Sequence, residues 1–589
     1  MQFLLTLASS LLLPLSLPNE ILRYGSTVIG VVALVPLFLV LFRASSRREA
    51  SRYGALFGTV STLLSNYWLA FFGDYSVWTL GGPVIGYAGY NYVLFGFLYE
   101  IVHGHRFTPV SVPSEYPLDL RRVPAGANTP LLIAVAWTGY EFLKSVGFLG
   151  YPWGLIAYPI ALIDPIAQIA EITGVWGISF LGSYLNAALA WHIHSGAHRS
   201  ARRVYGFSAS IREATLSSSS GGQTSRWPAS FRTPRSRSPL FPPSVRHLCT
   251  AVILLALAAT FGLYRLPRIA PEEQIDIVLV QQNIDSWKPG RFTDALEQAQ
   301  SLTVERLQEE IESGAGLPDA VIWSETSLRA PYSATADFYR SEPAGMPFFA
   351  FLRLIDTPLI TGTPLPAERD GDYHNSAVVI LPSGETTGAY GKQQLVPFAE
   401  SIPFWDVPAV QEFFRRVVGL TGSWVPGAGS TNLPLPLRDG SLLVIGTPIC
   451  FEDGFGWVPR ELVNNGADIL VNLTNNSWSR QDSAQTQHYV AARLRSIELR
   501  TTLVRGTNSG LSGVVDASGR LVEELPMFVS DSRRVTVPVY PDTWTLYRAW
   551  GDWFGSAAAI FTLVFVSVRS IRRNRRGQAG SSHIRGANT

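Results

Sequence analysis

Long apolar stretches recur along this chain and constrain its fold more than any other feature. A helix needs about 17–25 apolar residues to cross the hydrocarbon layer of a membrane. Stretches of that kind lie near residues 27–43, 54–72, 77–102, 130–149, 165–193, 247–265 and 553–569. The run at 3–17 is shorter, and a cleaved signal peptide is the alternative for it, but it lacks a basic start and an A-x-A-like cleavage site. Counting it as a helix predicts a multi-pass α-helical membrane domain of about eight helices.

The composition agrees with the presence of lipid-facing surface. Charged residues make up 16% of the 589 residues, and aromatic residues make up 12%. A soluble chain carries roughly 25% charged residues, so part of this chain is expected to lie in lipid. The length also exceeds that of one ordinary domain, which predicts at least two folding units.

The basic residues are concentrated in four clusters, although the formal net charge is only +2. Arginines follow the second, fourth, sixth and eighth predicted helices, within 43–52, 106–122, 199–246 and 572–576. If the chain crosses the membrane eight times, all four clusters fall on one side. Loops rich in Lys and Arg stay in the cytoplasm. The segment 266–552 is therefore predicted to lie outside the cytoplasm.

The chain divides into predicted segments with distinct compositions. Their boundaries are 1–194 for helices 1–6, 195–245 for a basic cytoplasmic loop, 246–268 for helix 7, 269–545 for an extracytoplasmic domain, 550–571 for helix 8 and 572–589 for a basic cytoplasmic tail. The loop is rich in Ser, Arg and Pro and has no apolar period, which predicts disorder. Attraction to lipid headgroups explains its charge more simply than nucleic-acid binding, so no nucleic-acid partner is expected.

The pattern changes within residues 270–540 to short β-rich runs that alternate with amphipathic helices. Strands are predicted at 275–282, 319–323, 358–362, 376–382, 442–450 and 467–474, followed by three further runs, TLVRGT, GVVDA and RRVTVPVY. Helices are predicted at 294–313 and 485–500. Two β-α-β-α units separated by hairpins predict a layered α/β sandwich.

Three chemically active residue types stand where predicted strands end. Glu325 follows VIW, Lys392 ends the hairpin at YGKQQL, and Cys450 ends VIGTPIC. Strand ends are where ligands bind in α/β layers, and a strand-to-helix turn exposes a nucleophile. A thiol, a carboxylate to take its proton and a lysine to hold an oxyanion suffice for acyl transfer. Each residue alone would be ordinary, but the three together predict an active site.

The two cysteines stand in different surroundings. Cys249 lies in the apolar run LCTAVILLALAATF and reads as a small apolar side chain within a membrane helix. A disulfide to Cys450 would have to join lipid to water-exposed protein, so Cys450 is expected to be a free thiol whose surroundings set its reactivity. Of the two histidines of the domain, His374 and His488, neither is placed as the base of the predicted site.

The order of Glu325, Lys392 and Cys450 resembles the Glu-Lys-Cys triad of the nitrilase, or carbon–nitrogen hydrolase, superfamily, and this match covers 275–540. The wider chain resembles its membrane-bound branch, the apolipoprotein N-acyltransferases. The strings that carry the resemblance to the branch are YGKQQLVPFAES, PICFEDGFG, DILVNLTNNSW and the membrane segment AWTGYEFLKSVGFLGYPWGLIAYP. The resemblance implies an α/β nitrilase-like α-β-β-α sandwich joined to eight membrane helices.

The same motifs imply supporting residues for the site. Glu400 lies eight residues after Lys392, and Glu452 lies two after Cys450. The resemblance implies that Glu400 positions the lysine or an amine, that Glu452 supports the cysteine loop, and that Trp478 is an active-site tryptophan. Two features depart from the family pattern. Phe451 stands where many relatives have Tyr, and Trp287 is shifted from the position of a family tryptophan near the first strand.

The resemblance implies a transfer reaction between two lipids. Glu325 would be the general base, Lys392 would lower the pKa of the thiol and stabilise the oxyanion, and Cys450 would carry the acyl group. A phospholipid would donate the acyl chain, and the amine of a diacylglyceryl-cysteine apolipoprotein would accept it, without a cofactor. The implied location is the bacterial inner membrane with the catalytic domain in the periplasm, and a monomer is expected.

Two alternatives remain at this stage. A membrane-tethered amidase or nitrilase that hydrolyses a small amide would use the same three residues with water as acceptor. A multi-helix transporter or receptor with an inactive nitrilase-like domain would lack members of the triad or carry charges at membrane depth. All three residues are present, with Glu141 and Glu171 as the main acids inside the predicted helices. The membrane resemblance therefore favours the acyltransferase over both.

Overall fold

A helical region begins the chain in the computed structural model, which describes residues 1–72, 76–103, 128–196, 242–284, 292–369, 371–402, 404–418 and 424–585. Its helices are α1 Gln2–Ser16, α2 Thr27–Gly30, α3 Val35–Arg43, α4 Arg47–Ser65, α5 Ser76–His103, α6 Thr129–Lys144, α7 Ala157–Ala161, α8 Asp164–Ala167, α9 Ala170–Thr173 and α10 at 175–196. Two further helices, α11 Pro243–Arg265 and α19 Trp553–Arg585, flank the α/β region on either side in sequence. The core of the basic loop, 197–241, and Trp287 lie outside the described residues.

Several of the predicted membrane stretches are broken helices. The stretch 27–43 forms α2 and α3, because α3 begins only at Val35 with Pro36 in its first turn, a position that tolerates a missing N–H. The stretch 165–193 forms α8, α9 and α10, and Gly174 with φ +63° separates the last two. Within the described ranges, two helices are long and apolar enough to cross a membrane, Pro243–Arg268 and Trp553–Arg572. The count of eight crossings therefore stays a prediction.

The α/β region contains two six-stranded sheets. Its strands are β1 Glu273–Gln281, β2 Ala320–Ile322, β3 Leu359–Pro366, β4 Tyr373–Ile380, β5 Thr386–Gly391, β6 Leu433–Pro436, β7 Leu442–Gly446, β8 Ile469–Thr474, β9 Leu503–Thr507, β10 Gly513–Val515, β11 Leu521–Glu524 and β12 Asp531–Val539. The strand orders are β12-β1-β2-β3-β4-β5 and β11-β10-β9-β8-β7-β6. In each sheet the central strands run parallel and the outer pairings are antiparallel.

Alternating side chains stack the sheets face to face. In β1, Ile277 and Leu279 join the core between the two sheets, while Val278 and Val280 pack under the outer helices. The helices of this region are α12 Phe292–Glu312, α13 Ala336–Ser341, α14 Phe348–Ile355, α15 Pro408–Val418, α16 Trp457–Asn464, α17 Asp482–Leu499 and α18 Leu546–Trp550. The α-β-β-α sandwich predicted from the sequence is confirmed.

Helix α17 is buried along nearly its whole length, from Ser483 to Leu499, although it carries many polar and charged side chains. Its charges pair with the helical region: Arg493 lies 2.9 Å from Asp164 and Arg500, just after the helix, lies 2.5 Å from Glu171. The Gln487 amide donates to backbone carbonyls between α1 and α5. Buried charges of this kind are stable only when paired, so the two regions are fixed to each other.

Candidate active site

Lys392 follows strand β5 and its side chain is fully buried between two carboxylates. Its Nζ lies 2.8 Å from Oε1 of Glu400 and 3.6 Å from Oε1 of Glu325. Burial alone would lower the pKa of the lysine, but the Glu400 and Glu325 carboxylates outweigh burial and raise that pKa above its ordinary value. The ammonium is therefore a permanent positive charge in the centre of the site.

Glu325 lies at the turn after β2 and is 6% exposed. Its Oε1 accepts a hydrogen bond from Asn375 Nδ2 at 2.8 Å, and its Oε2 accepts one from the Asn475 N–H at 2.8 Å. Gly362 of β3 runs close behind this turn, because an added Cβ would lie 2.9 Å from the Glu325 Cα. The carboxylate is thus held in one orientation by donors from two other segments.

Cys450 begins a tight turn, Cys450–Gly454, in the left-handed conformation with φ +54°. A non-glycine residue rarely adopts this conformation, and such strain is characteristic of nucleophile turns. The Asn472 amide of β8 donates to the Cys450 carbonyl at 2.8 Å and to the Pro448 carbonyl at 3.0 Å, so the neighbouring strand supports the turn. The turn presents the partly buried thiol at the carboxyl end of the sheet.

The resting thiol of Cys450 is strongly protonated. Burial raises its pKa well above the ordinary value, the Glu325 and Glu400 carboxylates raise it further, and the Lys392 ammonium lowers it without reversing the shift. The Lys392 ammonium thus acts on the pKa of the thiol in the direction that the resemblance implies, while its catalytic role stays a prediction. The net shift favours the neutral thiol over the thiolate.

Glu452 is fully buried and joins the cysteine turn to the lysine segment. Its Oε2 accepts from the Ile449 N–H at 2.7 Å and from the Tyr390 hydroxyl at 3.0 Å. Its Oε1 accepts from the Gln393 and Gln394 N–H groups at 2.7 and 2.8 Å. Burial raises the pKa of this carboxyl to about 7, while the hydrogen bonds oppose the shift.

Trp478 lies where the α/β region contacts the helical region. Its ring is 5.9 Å from Trp68 and 4.6 Å from Phe72, both of which follow α4. Phe451, the departure from the family pattern, belongs to the same apolar cluster, and its ring centroid is 5.5 Å from Lys392 Nζ. An aromatic face at this distance from an ammonium makes a cation–π contact that needs no hydroxyl.

The structure thus brings Glu325, Lys392 and Glu400 together, and all three act electrostatically on the Cys450 thiol. Sequence reasoning missed Asn375, which donates to both Glu325 and Glu400, the latter at 3.3 Å. It also missed a buried polar cluster under the cysteine turn, in which the Asp453 carboxylate contacts both His488 and Arg505. Asp453 follows Glu452 directly in PICFEDGFG, which was the one local signal for it.

The described residues contain no cluster of three or more His, Cys, Asp or Glu side chains suited to a metal ion. The described residues around Cys450 bring several chemically active groups together. These are a thiol, a hydrogen-bonded carboxylate, a buried ammonium and the backbone N–H groups of the turn. Together they form the set needed for covalent acyl transfer.

Family models match both regions of the chain. The apolipoprotein N-acyltransferase N-terminal domain matches residues 9–188, and the carbon–nitrogen hydrolase domain matches residues 342–538. Among solved structures, the carbon–nitrogen hydrolase from Helicobacter pylori G27 is similar, with 18% identity and a TM-score of 0.32 over 45% of this chain and 89% of that chain. The family match and the two sheets define a nitrilase-like domain attached to a helical region.

The relatives extend over nearly the full length of the chain. Apolipoprotein N-acyltransferase 2 of Treponema denticola is 35% identical over 556 residues, which cover 94% of both chains. Apolipoprotein N-acyltransferase 2 of Treponema pallidum is 34% identical over 606 residues, which cover 98% of both chains. The chain therefore belongs to the apolipoprotein N-acyltransferase family, and it is an acyltransferase.

Proposed function

We propose that this chain moves a fatty acyl group from a phospholipid, through a thioester on Cys450, to the N-terminal amine of diacylglyceryl-cysteine in lipoproteins. N-acylation of lipoproteins follows from the family to which the chain belongs. The observation that supports the chemical route is the buried Lys392 ammonium, which lies between Glu325 and Glu400 and acts on the Cys450 thiol.

In the first half-reaction Glu325 takes the proton of the Cys450 thiol as the sulfur attacks the ester carbonyl of the phospholipid. The negative charge that develops on the carbonyl oxygen is stabilised by Lys392 and by backbone N–H groups of the cysteine turn. The carbon–oxygen bond to the glycerol then breaks, and the leaving lysophospholipid oxygen takes the proton from Glu325. The acyl group remains on sulfur as a thioester.

In the second half-reaction the amine of the diacylglyceryl-cysteine attacks the thioester carbonyl. Glu325 takes a proton from the attacking nitrogen, and the carbon–sulfur bond breaks. The sulfur leaves and receives that proton, which restores the starting thiol and gives an amide. Donor and acceptor therefore react in turn, as in a ping-pong mechanism.

The supporting residues hold these groups in place. Glu400 keeps Lys392 charged and directed toward the thiol, and Glu452 fixes the spacing of the cysteine turn and the lysine segment. Trp478, packed against Trp68 and Phe72, covers the thioester against water. The roles of these residues are part of the proposal.

The membrane placement supports two lipid substrates. The proposed arrangement is eight membrane helices with residues 269–545 in the periplasm, the loop 195–245 and the tail 572–589 in the cytoplasm, and the whole chain as a monomer in the bacterial inner membrane. The helices Pro243–Arg268 and Trp553–Arg572 are long and apolar enough to cross a membrane and flank the catalytic domain in sequence, so they would hold it at the membrane. This favours lipid substrates over the small soluble amide of the amidase alternative, for which such anchoring has no purpose.

The test is mass spectrometry of the purified protein after incubation with phospholipid alone. We expect an acyl adduct on Cys450 and about one equivalent of lysophospholipid, because the first half-reaction needs no acceptor. A diacylglyceryl peptide with a free N-terminal cysteine should discharge the adduct and yield an amide. The same peptide with an acetylated α-amine should leave the adduct intact. Rapid release of free fatty acid without acceptor would instead identify water as the natural nucleophile and the chain as a hydrolase.

A further inference from the structure

His488 lies on α17 and contacts two different segments of the active site. It is 4% exposed. Its Nε2 is 2.6 Å from Oδ1 of Asp453, three residues after Cys450. Its Nδ1 is 3.4 Å from the amide nitrogen of Asn476, two residues before Trp478. One imidazole therefore lies between the cysteine turn and the tryptophan segment 475–478.

The partners define which ring nitrogen donates. The amide nitrogen of Asn476 only donates, so Nδ1 of His488 accepts, and the ring proton lies on Nε2 and is donated to Asp453. The second carboxylate oxygen of Asp453 is bound by Arg505 of β9, which holds the carboxylate in place. Both nitrogens of the ring are used, each for a different segment.

The surroundings of His488 hold the ring still. The Trp153 ring centroid is 5.8 Å from the imidazole centroid. Trp153 also packs on Gly454 at the end of the cysteine turn, where an added Cβ would lie 3.2 Å from the indole. Lys144 donates to the Trp153 carbonyl at 2.6 Å and fixes this loop to α6. The imidazole is therefore enclosed by the cysteine turn, the tryptophan segment and the helical region.

The tryptophan segment also orients the base. Asn475, directly before Asn476, donates its N–H to Oε2 of Glu325. A shift of this segment would therefore move the carboxylate relative to the thiol as well as the Trp478 ring. The contact with Asn476 is the point at which α17 restrains that movement.

We infer that His488 is a positioning residue that sets the spacing between the nucleophile turn and the segment that carries Trp478 and orients Glu325. This inference rests on the proposed function for the roles of Cys450, Glu325 and Trp478. It assigns each ring nitrogen a separate task. The bond from Nε2 to Asp453 holds the thiol for attack, and the bond to Nδ1 keeps the acyl-enzyme closed to water.

Two substitutions separate these tasks. The side-chain amide of glutamine can occupy the place of Nε2, and the side-chain amide of asparagine can occupy the place of Nδ1. His488→Gln keeps a donor for Asp453. Alkylation of Cys450 by iodoacetamide and its acylation by phospholipid should stay near wild type, while the thioester should lose its acyl group to water about tenfold faster. His488→Asn keeps the contact with Asn476. Alkylation and acylation of Cys450 should then slow about tenfold, and hydrolysis of the thioester should stay slow.

A further variant removes the contact between Asn476 and Nδ1 of His488 by changing the asparagine. Asn476→Leu should hydrolyse its thioester as fast as His488→Gln does, although its histidine is unchanged. The control is Gln300→Met on α12, which removes a part-buried hydrogen bond to the Met346 carbonyl that no site residue shares, and it should change neither rate. Site-resolved mass spectrometry separates alkylation of Cys450 from that of Cys249.

The outcomes are distinguishable from failure of the proposed function. Equal effects of His488→Gln and His488→Asn on both rates would overturn the inference, as would wild-type rates in both variants. If the wild-type protein forms no acyl adduct, the proposed function fails. The alkylation rates would then still report whether His488 positions the cysteine turn, and an unchanged rate in His488→Asn would overturn the inference.

Discussion

Glu452 accepts the backbone N–H of Gln393 at 2.7 Å, although the two residues come from different sides of the site. Glu452 belongs to the cysteine turn, and Gln393 directly follows Lys392. Three of the four partners of this buried carboxylate are backbone N–H groups, which only donate, and the fourth is the Tyr390 hydroxyl, so the arrangement favours the ionised form. Protonation would set a hydroxyl against a backbone N–H or force the Tyr390 hydroxyl to accept, and either change would alter the spacing between the thiol and the lysine.

This relationship predicts a pH dependence. The pKa of Glu452 is raised to about 7, so lowering the pH through that value protonates the carboxyl and should lower activity. The Cys450 thiol does not titrate in this window, because its pKa lies well above its ordinary value. The measurement is single-turnover acylation by phospholipid between pH 5 and about 8, the range in which such a carboxyl changes charge.

The matching variant is Glu452→Gln, which cannot titrate. It should abolish the acid limb near pH 7 and lower activity at all pH values, because its amide group faces a donor. The lost and mismatched hydrogen bonds should also reduce the free energy of unfolding by about 1–3 kcal/mol. An unchanged acid limb in this variant would assign the titration to another group.

Substitution of Cys450 should abolish activity, whereas substitution of Cys249 should not. Cys450→Ala and Cys450→Ser should abolish turnover while leaving expression and membrane insertion intact, because the thiol is the nucleophile of the proposed reaction. Cys249 is exposed on the apolar helix α11, so Cys249→Ser should be close to wild type. Turnover measured with phospholipid and acceptor peptide checks both. Normal activity in Cys450→Ala would end the covalent mechanism, and equal losses would indicate structural roles.

Turnover should be sensitive to a negative charge at position 375, even when the size of the side chain is kept. Asn375→Asp would replace the amide that donates to Glu325 and Glu400 with a third carboxylate, and the repulsion would displace Glu325 from the thiol. Turnover should fall about 100-fold, the lower range for loss of a general base. Asn464→Asp makes the same change on the surface beside Arg548 and should retain activity. Similar activity of the two variants would remove Asn375 from the site.

The proposed topology predicts the behaviour of reporter fusions. A reporter that is active only in the periplasm should be active when fused after Gly440, in the catalytic domain. The same reporter fused at Gly221, in the predicted basic loop, should be inactive. The opposite pattern would refute the orientation and separate the active site from its lipoprotein substrates.

Glu325, Lys392 and Cys450 were predicted as the active site from residue type and from their positions after predicted strands, and their roles stay a prediction. Asn375 and His488 act on residues 50 and 35 positions away, and only the packing of distant segments creates those contacts. No local pattern carries such pairings. The sequence therefore pointed to three candidate reacting groups and, through the resemblance, to Glu400 and Glu452, but not to Asn375 or His488.

Proline accounts for two differences in the fold. The strand predicted at 442–450 ends at Gly446, because Pro448 has no N–H to continue the ladder. Conversely, β6 was absent from the predicted strands. Its Pro434 and Pro436 are untypical of a central strand, but β6 lies at the edge of its sheet, where missing donors are tolerated. Whether a strand is central or at the edge depends on the whole sheet and is not visible in a short run of residues.

The buried helix α17 has a practical consequence for anyone who dissects this enzyme. A fragment that consists of residues 269–545 alone would lack Asp164 and Glu171. It would leave Arg493 and Arg500 without their carboxylate partners on a newly exposed surface. A soluble fragment of that kind should be poorly behaved. For the same reason, a chimaera between two relatives should exchange α8 to α10 together with the catalytic domain, because the two regions share one interior.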